Sequence, residues 1–229
     1  MEWLGAPYDF SAGAILNIFK PEGKTSFFAV KRVRYLTKTK VGHAGTLDPF
    51  ASGVLLILTG KATKKSAEFM DLPKWYTGVI ELGKRTNTDD VTGEIIEQND
   101  VPELTLSDVE SVIQRFIGEI DQIPPMFSAK KVNGKRLYKL ARKGVEIERK
   151  PHRVNIYELK ILQFSNPFLK IEVNCSKGTY IRSLARDIGD AIGCGGFLKS
   201  LTRTRVGPYA VEESLKLEKL PDLFSGFDE

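Results

Sequence analysis

The chain has 229 residues, 41% hydrophobic and 28% charged, with 11 Pro and 20 Gly. That is globular composition for one large domain, or one domain with an insertion, and it excludes a disordered, collagenous or coiled-coil chain. Net charge is +5; the longest aliphatic run, residues 54–58, has five residues, far short of the ~20 that a membrane helix needs. The N-terminal residues 1–7 have no signal-peptide pattern, so a soluble, cytoplasmic protein is expected.

Residues 14–19 read as a buried strand, stopped by Lys20-Pro21-Glu22-Gly23. Ser26 is the expected N-cap of a helix with Ala29, Val30, Val33 and Leu36 on one face. A glycine-rich loop follows over 40–53, in which Asp48-Pro49 starts a turn. Residues 54–58 read as a buried strand and 61–70 as a short helix. Residues 75–82 alternate as a strand does, with Trp75, Thr77, Val79 and Glu81 on one side and Tyr76, Gly78, Ile80 and Leu82 on the other. Ser107 to Glu110 read as a capping box. The helix it opens turns Val109, Val112, Ile113, Phe116 and Ile117 inward, and Gly118 ends it. Pro124-Pro125 breaks the pattern, and 124–153 reads as an inserted arm with a helical stretch near 136–143. Two long strands, 154–164 and 168–174, join at Ser165-Asn166-Pro167. Residues 180–192 form an amphipathic helix with Ile181, Leu184, Ala185, Ile188 and Ile192 buried. A strand over 201–209 and a short helix near 212–217 follow. Strands and helices mix without βαβ alternation, so the expected class is α+β with a largely antiparallel mixed sheet flanked by helices.

The charge is concentrated. Residues 130–153 hold ten Lys/Arg and two Glu, whereas 89–121 hold ten Asp/Glu and one Arg. A charge run is usually a solvated face, but a dense basic block with Tyr138 and several Asn/Gly positions suits phosphate contact. Two cysteines, Cys175 and Cys194, and two histidines, His43 and His152, build neither a disulfide framework nor a zinc site. The cysteines are expected as small buried hydrophobes, and no metal or other cofactor is expected.

Two stretches could carry chemistry. Lys40 to Gly53 (KVGHAGTLDPFASG) places glycines, a histidine and a carboxylate in a loop before a buried strand, and such a loop can bring backbone close to a ligand. Taken alone, a glycine-rich connector explains it as well. Cys175 to Leu184 (CSKGTYIRSL) joins a strand end, a glycine turn and a helix N-terminus, a place that favours anions. Taken alone, a capped helix with a surface Arg and a half-buried Tyr explains that too.

Together, and in this order, the stretches resemble the TruB family of pseudouridine synthases, which isomerise a uridine in the T-loop of tRNA. The resemblance runs almost end to end. It covers KPEGKTS at 20–26, VGHAGTLDPFASGVL at 41–55, Tyr76 with Leu82-Gly83, and TNTDD at 86–90 with Gly93. It continues through IPPMFSAKK at 123–131, GKRLY at 134–138, CSKGTYIRSLARDIG at 175–189 and LTRTRVGPY at 201–209.

The resemblance implies a pseudouridine synthase fold with an inserted basic arm, 124–153, that grips RNA. It implies Asp48 as the catalytic nucleophile and Tyr76 against the target base. Tyr180 and Arg182 would line the uracil pocket, with Arg182 paired to the catalytic carboxylate and Asp90 helping to hold that Arg. Leu201 would pack near the base, and His43 would fill the space that a flipped nucleotide leaves. Lys130, Lys131, Lys135 and Arg136 in the arm would contact phosphates. The implied partner is the T-arm stem-loop of tRNA, bound by a monomer with no guide RNA. Many family members continue into an RNA-binding PUA domain; here 20 residues follow Tyr209, too few for one, so a single catalytic domain over 1–229 is expected.

The implied isomerisation breaks an N-glycosidic bond, turns the base and joins C1′ to C5. It needs a carboxylate nucleophile and no redox cofactor. A non-catalytic RNA-binding protein of the same fold is the alternative, and Asp48 discriminates, since a binder has no use for a carboxylate beside phosphates. A nucleoside or glycoside hydrolase is a third reading; such enzymes commonly use paired carboxylates, whereas these motifs supply one.

Overall fold

The computed structural model describes residues 9–128, 131–132, 135–136, 141, 145 and 147–220. The chain divides into two compact units, 1–75 with 202–229, and 76–201. It passes from one to the other inside two strands.

The elements in chain order begin with β1 (Ile15–Lys20), α1 (Ser26–Thr37), β2 (Val41–His43), β3 (Ser52–Thr59), α2 (Ser66–Asp71) and β4 (Lys74–Leu82). Then come β5 (Lys84–Thr86), β6 (Ile95–Gln98), α3 (Leu106–Ile113), β7 (Gly118–Gln122), β8 (Lys131–Val132) and β9 (Lys135–Arg136). The last are β10 (His152–Ser165), β11 (Phe168–Cys175), α4 (Ile181–Ile192), β12 (Gly196–Val206), β13 (Tyr209–Ala210) and β14 (Leu215–Lys216). No helix among the described residues is long and apolar enough to cross a membrane.

In the first unit β3 is the central strand. It pairs antiparallel with β1 and β2, and parallel with β12 from Thr202 onward. β1 in turn pairs parallel with β14. Val54, Leu55, Leu56, Ile57 and Leu58 are all fully buried, because both faces of β3 are covered. On one side Leu55 and Ile57 meet Ala29, Val30 and Val33 of α1. On the other, Val54, Leu56 and Leu58 meet Val206 and the half-buried Phe69, Leu72 and Tyr209. A strand covered on both faces reads as a continuous apolar run rather than an alternating one.

In the second unit the order is β12-β4-β11-β10-β7, with β11–β10 and β10–β7 antiparallel. Inward residues alternate along β11 (Leu169, Ile171, Val173, Cys175), all buried. The buried stripe of α4, Ile181, Leu184, Ala185 and Ile188, falls where the 3.6-residue period puts it, whereas Ile192 in the last turn is only half-buried. The class is α+β with a mixed sheet. Cys175 and Cys194 are buried free thiols.

Five local expectations are corrected. Helix α3 ends at Ile113 and passes through a 3-10 turn, Gln114–Phe116, so Ile117 is exposed rather than inward and Gly118 opens β7 instead of ending the helix. The N-cap of α1 is Thr25, whose hydroxyl accepts from Phe28 N at 3.1 Å; Ser26 lies one residue inside the helix and its hydroxyl is engaged elsewhere. The capping box of α3 is Thr105 with Asp108. Asp108 accepts from Thr105 N at 2.8 Å while Thr105 accepts from Asp108 N at 3.2 Å, so Ser107 is already helical. Residues 61–70 begin as a 3-10 turn, Gly60–Lys65, before α2. Residues 212–217 are not a helix: after a 3-10 turn at Val211–Glu213, Leu215 pairs with Ile18 as a strand. That pairing satisfies a β1 edge that nothing in the local sequence reveals. The helical stretch expected near 136–143 falls on residues that, apart from Arg136 in β9 and Ala141, lie outside the described ones.

Candidate active site

In the first unit the loop between β2 and β3 is anchored along its length. Gly42 and His43 pair with Leu58 and Ile57. Ala44 N donates to Leu56 O at 2.9 Å, and Ala51 N closes a turn onto Asp48 O at 3.2 Å, with Pro49 at the position where its fixed φ suits a turn. Ala44, Leu47, Phe50 and Ala51 are buried, so the loop packs like core. The Ser26 hydroxyl donates to Leu47 O and accepts from Leu47 N, both at 2.9 Å. Displacement from the cap position thus gives Ser26 another function: it fixes the residue before Asp48.

Two buried cations hold the same loop. Arg203, 1% exposed, donates from Nε to Val54 O at 2.7 Å, from Nη1 to Thr46 O at 3.4 Å and from Nη2 to Gly45 O at 3.2 Å. Burying a guanidinium costs several kcal/mol; charge-assisted bonds worth ~1.5–3 kcal/mol each offset that. Lys20 donates from Nζ to Lys24 O at 2.7 Å, Pro21 O at 2.9 Å and Pro49 O at 3.3 Å. Burial lowers Lys20 from its ordinary 10.5 to about 8, Asp48 pulling it back up and Arg203 pushing it further down. Gly53 has φ +111°, and a Cβ there would lie 2.2 Å from Arg203 O. The close backbone approach for which the loop needs this glycine is to the neighbouring strand.

His43, at the end of β2, is half-buried, and its Nδ1 has no hydrogen-bond partner among the described residues. Burial and the Arg203 charge lower its pKa, so it is neutral near pH 7.

In the second unit Arg182 and Asp90 meet. Arg182 Nη1 lies 3.4 Å from Asp90 Oδ2 with both side chains buried, and it also donates to Thr88 O at 3.1 Å. Asp90 Oδ1 accepts from Thr88 Oγ1 at 2.9 Å, from Thr92 N at 2.9 Å and from the Thr92 hydroxyl. Residues 88–92 therefore form a cup for the Asp90 carboxylate, which pairs with the Arg182 guanidinium. The bland expectation for Arg182, a surface side chain at a capped helix, is overturned by its burial.

Tyr180 precedes α4 and is half-buried. Buried Gln122 grips its backbone, accepting from Tyr180 N at 2.9 Å and donating to Tyr180 O at 3.0 Å. Arg182 Nη2 donates to Phe127 O at 3.0 Å and Ser183 Oγ to Ile123 O at 2.9 Å, so α4 fastens the start of the 124–153 segment. Tyr76 on β4 and Leu201 on β12 are buried. Lys130 lies outside the described residues. Lys131, Lys135 and Arg136 have described backbone only, in the paired strands β8 and β9.

Lys20, Ser26, Arg203 and Gln122 escape the sequence reading as functional residues. A signal for Lys20 is present: it shares the parity of buried Leu16 and Ile18 on β1, a position where a lysine has to find carbonyls. Arg203 likewise shares parity with Leu201 on β12.

The model of the TruB family pseudouridylate synthase N-terminal domain matches residues 32–181, and that of the tRNA pseudouridylate synthase B C-terminal domain matches 182–229. The chain belongs to the TruB family. Among its relatives, the tRNA pseudouridine synthase B of Francisella philomiragia is 52% identical over 91% of this chain and 70% of that protein. That of Phocaeicola vulgatus is 48% identical over 93% of this chain and 94% of that protein. Of the solved structures, the chain matched in a Cbf5–Nop10–Gar1 complex superposes with a TM-score of 0.72 at 28% identity, over 93% of this chain and 55% of that one. One in an H/ACA RNP bound to a substrate RNA gives 0.69 at 26%, over 93% and 54%. This chain spans about half the length of those two. The pseudouridine synthase fold is thereby established.

Proposed function

We propose that this chain isomerises a uridine in the T-loop of tRNA to pseudouridine, with Asp48 as nucleophile. The observation that carries the reading is the similarity, across nearly the whole of both chains, to a relative named tRNA pseudouridine synthase B. The anchoring of the Asp48 loop supports it, since a nucleophile has to be held in one place through a reaction of several steps.

In this reading Asp48 adds either to the sugar at C1′ or to the pyrimidine ring. The N1–C1′ bond breaks, the uracil turns, C5 bonds to C1′, the C5 proton leaves and N1 takes up a proton. Nothing is oxidised or reduced. Either route needs the ionised carboxylate, and the Lys20 ammonium attracts that charge. Tyr76, Tyr180 and Leu201 hold the uracil so that it turns without escaping. Arg182, its geometry fixed by Asp90, lines the uracil pocket. The uridine leaves its stack at a cost of a few kcal/mol, and neutral His43 fills the vacated space. Lys130, Lys131, Lys135 and Arg136, in the basic arm 124–153, bind phosphates of the T-arm.

The test is incubation of the protein with an unmodified tRNA transcript, followed by mapping of pseudouridine. One new pseudouridine in the T-loop is expected. Release of free uracil would make the protein a hydrolase, and tight tRNA binding with no product would make it a binding protein.

A further inference from the structure

Helix α1 exposes three large aromatic side chains, Phe27 at 54%, Phe28 at 44% and Tyr35 at 76%. Singly exposed apolar residues need no explanation. At ~100° per residue, Phe28 and Tyr35 lie within ~20° of each other about two turns apart, and Phe27 lies ~100° from Phe28, so the three share one side of the helix. Cations are interleaved with them. Lys31 Nζ stands 5.1 Å from the Phe27 ring centroid and Lys24 Nζ 5.3 Å from that of Phe28. Lys38 caps the helix C-terminally and is exposed. The helix contains no acidic residue.

Aromatic rings alternating with lysines match the chemistry of single-stranded nucleic acid, where bases stack on rings while phosphates meet cations. A purely apolar partner would leave the lysines without counter-charge, and an acidic protein surface would leave the rings unmatched. The position fits as well. Ser26, immediately before the two phenylalanines, is bonded to Leu47, the neighbour of Asp48. The aromatic–cationic face therefore starts at the nucleophile's loop and runs ~18 Å along the helix.

We propose that this face of α1 is a second RNA-docking surface, separate from the basic arm, on which unpaired bases stack against Phe27, Phe28 and Tyr35. The proposal rests on the reading that the substrate is RNA. Its ligand is an unpaired stretch of the bound tRNA.

The test is fluorescence anisotropy with a labelled tRNA transcript across a salt series. The Phe27→Ala/Phe28→Ala variant should bind roughly tenfold more weakly, as expected when bases have no ring to stack on. Phe27→Tyr/Phe28→Tyr keeps the rings and should stay within about twofold of the wild type. Lys24→Gln/Lys31→Gln should flatten the log–log salt slope by ~0.7–0.9 for each phosphate that is no longer neutralised. Unchanged affinity in the Ala variant together with an unchanged slope in the Gln variant would overturn the proposal. So would a wild-type dimer, seen by sedimentation, that the Ala variant dissociates with no change in RNA affinity, because the face would then cover a second copy of this chain. Pseudouridine formation by the wild type is scored separately: its absence would overturn the functional reading, while the affinity comparison still decides the role of α1.

Discussion

The ammonium of Lys20 donates to the carbonyl of Pro49, 3.3 Å away, and so holds the main chain directly after Asp48. Its burial has a consequence for pH. Below about pH 8 Lys20 is charged in both the folded and the unfolded chain, and the burial penalty weighs on the fold. Between about 8 and 10.5 the folded chain has released the proton while the unfolded chain retains it. This group's contribution therefore rises with pH across that window and is level above it. Relative to Lys20→Met, which has no such group, the wild type should gain roughly 3 kcal/mol. Urea unfolding of both proteins at several pH values checks this. A constant difference between them would show that Lys20 does not titrate in that range.

Arg203→Lys should impair the enzyme although the charge is kept. A lysine offers one nitrogen where the planar guanidinium uses Nε, Nη1 and Nη2 to reach the separate carbonyls of Val54, Thr46 and Gly45. A loss of roughly 2 kcal/mol in stability is expected, with single-turnover rates falling more than tRNA affinity. An equal fall in both would make the residue a general structural one.

The Asp90–Arg182 pair predicts two different failures. Asp90→Asn removes one counter-charge from a buried guanidinium, and roughly 1–3 kcal/mol of destabilisation is expected by denaturant unfolding. Arg182→Lys keeps the charge but loses the fork that reaches Asp90, Thr88 and Phe127 together; its turnover should fall at saturating tRNA. Turnover at the wild-type level would mean that charge alone suffices there.

How far the sequence reveals this molecule depends on the range of the interactions involved. Periodicity placed α1, β4, β10, β11 and α4, because each is decided by which face its own residues bury. Glu81 on β4 shows the boundary: parity puts it opposite Tyr76 and Ile80, yet it too is buried. The cause is Lys84 at 2.8 Å and Lys199 at 2.5 Å, the second of them distant in sequence. The same holds for Thr25 against Ser26. Either residue satisfies the local cap pattern, and only the remote Leu47 backbone decides which hydroxyl is free to cap. The Asp90–Arg182 pairing was legible through the family motifs. The cations behind the Asp48 loop were not, because a lysine and an arginine within apolar strands declare burial but not which carbonyls will receive them.

The basic arm should dominate the electrostatics of tRNA binding, since 130–153 hold ten of the chain's 34 Lys/Arg. Neutralising Lys130, Lys131, Lys135 and Arg136 together should weaken binding. It should also flatten the salt dependence, by roughly 0.7–0.9 in log–log slope for every phosphate left without its cation. An unchanged slope would make the segment a solvated face.

The most direct test of the account is single-turnover pseudouridine formation by Asp48→Asn on a tRNA transcript, beside a binding titration on the same RNA. The amide keeps the shape of the carboxylate and is a poor nucleophile. The account predicts no detectable pseudouridine with tRNA affinity close to that of the wild type. Product formation near the wild-type rate would contradict it, because the group that the Ser26, Lys20 and Arg203 anchors hold in place would then not be the one that reacts.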